Sequence, residues 1–210
     1  MKKRPTYHET RTFKDMHLRS QEIFFGPDLI WILGPNAEFT NCKLVCMMKS
    51  SQFIVSTSTL IACEVTASVK LAKINWSPAK LMQCKFIGNF SDCDFGPRLD
   101  IGDKQAQGSV VNCDYSSSIL DSCRFFNTNL QEVKFPVWPC FTIIDYQAAA
   151  SDFQHCSISN VASRYARTVL GAVEEGEVAL SMNGILEAKL LKCELEDLKE
   201  FLLGKPYVVM

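Results

Sequence analysis

Ten cysteines and three histidines are the side chains of this 210-residue chain best equipped for chemistry. Paired as Cys-x-x-Cys, cysteines hold zinc in a tetrahedral site; beside a general base, a cysteine becomes a nucleophile. No Cys-x-x-Cys pair occurs. Of His8, His17 and His155, only His155 adjoins a cysteine, Cys156, and adjacent residues on a strand point to opposite faces. No phosphate-binding glycine loop, no Gly-x-Ser-x-Gly and no metal motif is present. Catalysis, metal and cofactor are therefore not expected.

The cysteines follow a packing beat instead. FTNCKL, LIACEV and LMQCKF end at Leu44, Val65 and Phe86, which are 21 residues apart. Phe39, Leu60 and Leu81 form a second column, Met48, Val69 and Phe90 a third, and Phe53, Ile74 and Phe95 a fourth. A small residue stands two positions before each large one, as in Cys84-Lys85-Phe86 and Cys93-Asp94-Phe95. Side chains two apart on an extended segment share a face, so small and large both point inward in a narrow tube. Eight cysteines (Cys42, Cys46, Cys63, Cys84, Cys93, Cys113, Cys123 and Cys156) fall on the small inward position. Free cysteine packs as a small hydrophobe, and a ladder of reduced thiols fits the cytoplasm.

Self-similarity at this period is the signature of a solenoid. Steps of 5, 4, 5 and 7 within a coil describe four short sides and one wider corner. On these units the chain resembles the pentapeptide-repeat family, whose unit reads roughly Ala-Asp/Asn-Leu-X-X. The resemblance implies a right-handed, four-sided β-helix, here of about seven coils. The four- and seven-residue steps, and the rarity of Asp or Asn between small and large, make the chain a degenerate member.

Along the chain, residues 1–36 keep the beat weakly and are assigned to an N-terminal cap, with Trp31 as cap packing. The β-helix is expected over 37–158, interrupted by insertions at 96–107 and 136–150. A last coil-like piece, FQHCSI, holds Phe153 and Ile158. Beyond Ser159 the period turns helical: Val161, Tyr165, Val169 and Val173 are four apart, with Ser159 or Asn160 as N-cap. Asn183-Gly184 reads as a turn. Leu191, Leu195, Leu198 and Leu202 form a second stripe, although Ala188-Lys189-Leu190 and Cys193-Glu194-Leu195 would also pass as repeat units. Composition favours helix over 185–203, so 159–210 forms a helical C-terminal cap, or a surface for pairing two copies of the chain.

Charge narrows the function. The residue between small and large points outward, and Lys43, Glu64, Lys85, Asp114 and Lys134 alternate in sign along one column; Lys73, Asp94 and Arg124 lie on another. Some pentapeptide-repeat proteins shield topoisomerases by imitating DNA, which requires dense negative charge. Between Ala37 and Phe95 six lysines oppose four acids, and the net charge of the chain is −1. The expected function is a role that other members of the family fill, immunity against a protein toxin by binding it; the alternatives are topoisomerase protection by DNA mimicry and a generic scaffold or effector. No apolar stretch follows the basic Met1–Pro5, so a cytoplasmic protein is expected, with neither nucleic acid nor membrane as partner. Partner contacts are expected on the wide corner, at Trp76 with Arg98, Asp100, Asp103 and Lys104 of the adjoining 96–107 insertion; Trp138 of the second insertion is a further, separate candidate. Trp and Arg are enriched at binding hot spots.

Overall fold

A computed structural model describes residues 9–98 and 108–210. Strand β1 (Glu9–Phe13) leads into a first circuit of β2 (His17–Arg19), β3 (Glu22–Phe25) and β4 (Leu29–Leu33). The second circuit takes β5 (Ala37–Thr40), β6 (Lys43–Cys46) and β7 (Phe53–Val55), and the third β8 (Ser58–Ile61) and the long β9 (Glu64–Ala72). Then come β10 (Ala79–Met82), β11 (Lys85–Ser91) and β12 (Asp94–Phe95), followed by β13 (Ser109–Val111), β14 (Cys113–Asp121) and β15 (Cys123–Phe126). β16 (Val133–Lys134) closes the stack. Every pairing among these strands is parallel. The result is a parallel β-solenoid of about six turns, one fewer than the spacing predicts.

The corners are made by residues in the left-handed conformation. Ser20, Asn41, Ala62, Gln83 and Asn112 turn the chain from the first side to the second, and Lys73, Asp92 and Ser122 turn it into the fourth. A side chain is disfavoured there, but six of these eight corner N–H groups stay in the ladder. Asn41 donates to Ile61 O at 2.9 Å, Ala62 to Met82 O at 2.9 Å and Gln83 to Val111 O at 2.8 Å.

Two predicted columns stand as written. Leu18, Phe39, Leu60, Leu81 and Val110 align in one, and Ile23, Leu44, Val65 and Phe86 in the other. The other two columns slip. Gly88 pairs with Ala67 but Phe90 pairs with Leu71, so the third coil holds two extra residues on its third side. Leu71 is buried and Val69 is 42% exposed. The slip persists through the corner, where Asn75 bridges Asp94. Trp76, and not Ile74, therefore stands over Phe95.

Seven of the eight cysteines assigned to the inner wall are buried. Their thiols donate to main-chain carbonyls of the preceding coil: Cys63 to Phe39 O at 3.2 Å, Cys84 to Leu60 O at 3.3 Å and Cys113 to Leu81 O at 3.5 Å. Burial pushes the Cys46 thiol up to about 12. Cys156 departs from the expectation: it is only partly buried and follows a helix.

The ends differ from the predicted caps. Residues 9–33 form regular solenoid strands, and Trp31 pairs with Phe53 inside the core. Parallel pairing stops at β16, and a second hydrophobic cluster begins after it. That unit starts with β17 (Cys140–Ile143) and α1 (Tyr146–His155), so 136–150 is no insertion and FQHCSI is no coil. Asp145 caps α1 by accepting from Ala148 N at 3.0 Å. Next are α2 (Ala162–Tyr165), which continues into a π-helical turn over Ala166–Leu170, and β18 (Glu177–Asn183). Asn183 caps α3 (Gly184–Leu191), Lys192 ends it in the left-handed region, and α4 (Leu195–Leu202) and β19 (Val208–Val209) complete the chain. The helices over 185–203 are as predicted; the strands among them are not. β18 pairs antiparallel with β15 on one side and β17 on the other. Ala179 belongs to the solenoid core, while Leu180 and Met182 belong to the second cluster. One strand is thus the common wall of two cores.

Candidate functional site

Trp76 is fully buried. It packs among Phe53, Phe86 and Phe95, with ring centroids 5.7, 5.4 and 6.2 Å away. The expectation that it meets a partner is corrected: the two-residue slip in the third coil carries it from the corner into the inner wall. Its packing role is what the spacing alone hid, because Ile74 also fits the 21-residue beat.

Arg98 is held within the fold. Its side chain is 11% exposed, and Nη1 donates to Asp94 Oδ2 at 2.9 Å. Arg124 grips the same carboxylate through Nε at 2.8 Å and Nη2 at 3.0 Å. Both guanidinium groups also pair with Glu174 and lie over the Phe126 ring, 4.7 and 5.3 Å from its centre. Asp94 belongs to the solenoid and Glu174 to the C-terminal unit, so the two arginines rivet one to the other. Asp100, Asp103 and Lys104 lie outside the described residues. Trp138 is partly buried against the second cluster, with Lys199 Nζ 5.9 Å from its ring centre. Of the contacts predicted on the wide corner, the two within the described residues, Trp76 and Arg98, are thus engaged inside the fold.

On the second side the register Glu22, Lys43, Glu64, Lys85, Asp114, Lys134 places six charges of alternating sign in one column. Lys43 reaches Glu22 at 3.2 Å and Lys134 reaches Asp114 at 3.8 Å. Hydrogen bonds from Ser116, then the charges of Lys134 and Lys85, hold the Asp114 carboxyl below the usual range. The other column, predicted as Lys73, Asp94 and Arg124, keeps only its Asp94–Arg124 pair, because Lys73 is a corner residue.

Two apolar stripes flank the alternating column. Arg19, Thr40, Ile61, Met82 and Val111 align on the outside of the first side, and the last three form an apolar run. Phe24, Val45, Thr66 and Ile87 align on the outside of the second. Phe24 is 52% exposed and Met82 39%. The strand alternation that marks the inward positions marks these outward ones equally.

His17 lies 3.7 Å from Glu38, and the His155 ring contacts Ser151 O at 2.8 Å. Among the described residues no three His, Cys, Asp or Glu side chains gather as metal ligands, and no helix is long and apolar enough to cross a membrane. No protein-family model matches the chain, and no curated protein matches its sequence.

Proposed function

We propose that the protein is a non-enzymatic binding rod, a degenerate pentapeptide-repeat protein that confers immunity by holding a cognate protein toxin. The observation that carries this reading is the pair of apolar stripes on two adjoining outer faces, which include the exposed Phe24 and Met82, with a charge column of no net sign between them. Exposed apolar stripes bordered by charge mark protein interfaces. A rigid ladder presents them without an ordering cost. Alternation of sign argues against imitation of DNA, whose charge has one sign throughout. The partner binds in the cytoplasm.

The test is immobilisation of the wild-type chain and of a Phe24→Glu/Met82→Glu double variant, each verified as folded by circular dichroism. A single protein retained by the wild type, toxic when expressed alone and neutralised by co-expression, is the expected result. Equal retention by the double variant would move the interface off these stripes. Retention of nucleic acid, or neutralisation of nothing, would overturn the reading.

A further inference from the structure

Where the solenoid corner formed by Asp92 and Ser122 meets the C-terminal unit, a cleft of about 300 Å³ opens. That is the lower end of the range for ligand sites. Its apolar wall includes Leu180 and Met182 of β18, and Leu190 of α3 stands at the rim, 56% exposed. Glu187, one turn before Leu190 on α3, lines the cleft and is only 6% exposed. Its Oε2 has no hydrogen-bond partner among the described residues.

A buried carboxylate oxygen without a partner is costly; the Tyr165 hydroxyl eases the burial of Glu187, and the other groups nearby do not. Arg124 also lines the cleft, but its guanidinium is committed to Asp94 and Glu174. Glu177 accepts from the Tyr146 hydroxyl at 2.6 Å. The Tyr165 hydroxyl, beside Glu187, makes its 2.9 Å contact with Met182 Sδ. Asp121 adds further negative charge, and Lys70 is its ion-pair partner at 3.7 Å. The cleft thus combines an apolar wall with a carboxylate that no cation neutralises among the described residues, the complement of a cationic N–H donor on an apolar stem.

We propose that this cleft binds an alkylammonium or guanidinium group, with the Glu187 carboxylate as its counter-charge and Leu180, Met182 and Leu190 around its stem. The site is separate from the apolar stripes and does not rest on the function proposed for them. A free amine and a lysine or arginine side chain offer the same chemistry.

Isothermal titration of the full chain with hexylamine and with hexan-1-ol tests the charge requirement. Hexylamine is expected to bind one to one, at least about tenfold more tightly than the alcohol, since a charge-assisted hydrogen bond separates them. Glu187→Gln, which keeps the shape and removes the charge, should weaken the amine by at least about tenfold. In Leu190→Lys, at an exposed position, the new ammonium should occupy the cleft and abolish amine binding. Binding of N-acetyl-lysine-N-methylamide as tight as that of hexylamine would identify a protein side chain as the source; binding of free amines alone would identify a small molecule. The proposal is overturned if hexylamine does not bind, if hexanol equals it, or if a folded Glu187→Gln protein binds the amine unchanged.

Discussion

Trp76 stacks on Phe95 with the two ring planes 8° apart and their centroids 6.2 Å apart. The indole is the widest member of an aromatic column that continues through Phe95 to Phe125, 5.2 Å further, and Phe135, 5.1 Å beyond that. Its Nε1 is buried with no hydrogen-bond partner among the described residues. Trp76→Ala should cost about 3–5 kcal/mol in urea denaturation, by lost transfer energy and the cavity left behind. Trp76→Phe should cost far less, because removal of an unsatisfied donor offsets part of the lost volume.

Asp94 is the shared acceptor of two guanidinium groups and is 13% exposed. Asp94→Asn keeps an acceptor oxygen but removes the charge, so that Glu174 is the remaining carboxylate for Arg98 and Arg124 among the pairings described above. A loss of about 2 kcal/mol is expected, measured by the same denaturation.

The thiols divide by burial. Eight cysteines are buried, and Cys156 and Cys193 are partly exposed. A sulfur enclosed in the core is out of reach of a bulky reagent, so an aromatic disulfide reagent should modify at most these two in the native protein and all ten after denaturation. Rapid native modification of a third cysteine would contradict the packing described for the inner wall. Cys84→Ala should cost about 1 kcal/mol, the loss of a small packed group.

Burial pushes the Glu187 carboxyl above its ordinary value of 4.5, with nearby Asp121 adding to the rise and the Tyr165 hydroxyl opposing it. Between the unfolded and the raised folded value, the folded state keeps a proton that the unfolded state has released. Glu187 therefore supplies stability that is full below about pH 4 and declines as pH rises through that window. Arg124, Asp92 and Glu177 line the same cleft and contribute a common background. The melting temperature of Glu187→Gln minus that of wild type should be near zero at low pH and grow more positive towards pH 8.

Gly88 faces Ala67 across the ladder at φ +103°, and an added Cβ would stand 2.3 Å from Ala67 O. Gly88→Ala should lose about 1–3 kcal/mol from backbone strain, readable as a drop in melting temperature.

The first two sides of each coil were legible because one large and one small inward residue at fixed spacing leave a single register. The third was not. Val69 and Leu71 are two apart and equally apolar, so period-two alternation cannot choose between them, and the choice decides whether Ile74 or Trp76 lies over Phe95. FQHCSI matched a coil in its apolar spacing, but the preceding Ala148–Ala150 run belongs to helix α1, capped by Asp145. β18 escaped notice because both of its faces are buried against different cores, which erases the polar alternation that betrays a strand. Of the partner-binding residues expected, Trp76 lies in the core and Arg98 in an ion network; three-dimensional register, which spacing did not supply, decides both.

The shared wall formed by β18 also gives the molecule a direction. In a stack whose layers lean only on their neighbours, either terminal layer can detach first. Here the layer containing Phe125 is paired to β18, riveted through Arg124 and joined to a second core, so it cannot peel away without dismantling that core as well. Among the described layers unravelling therefore has a polarity: the β1–β4 layer opens before the one holding Phe126, and hydrogen exchange should slow progressively along that path.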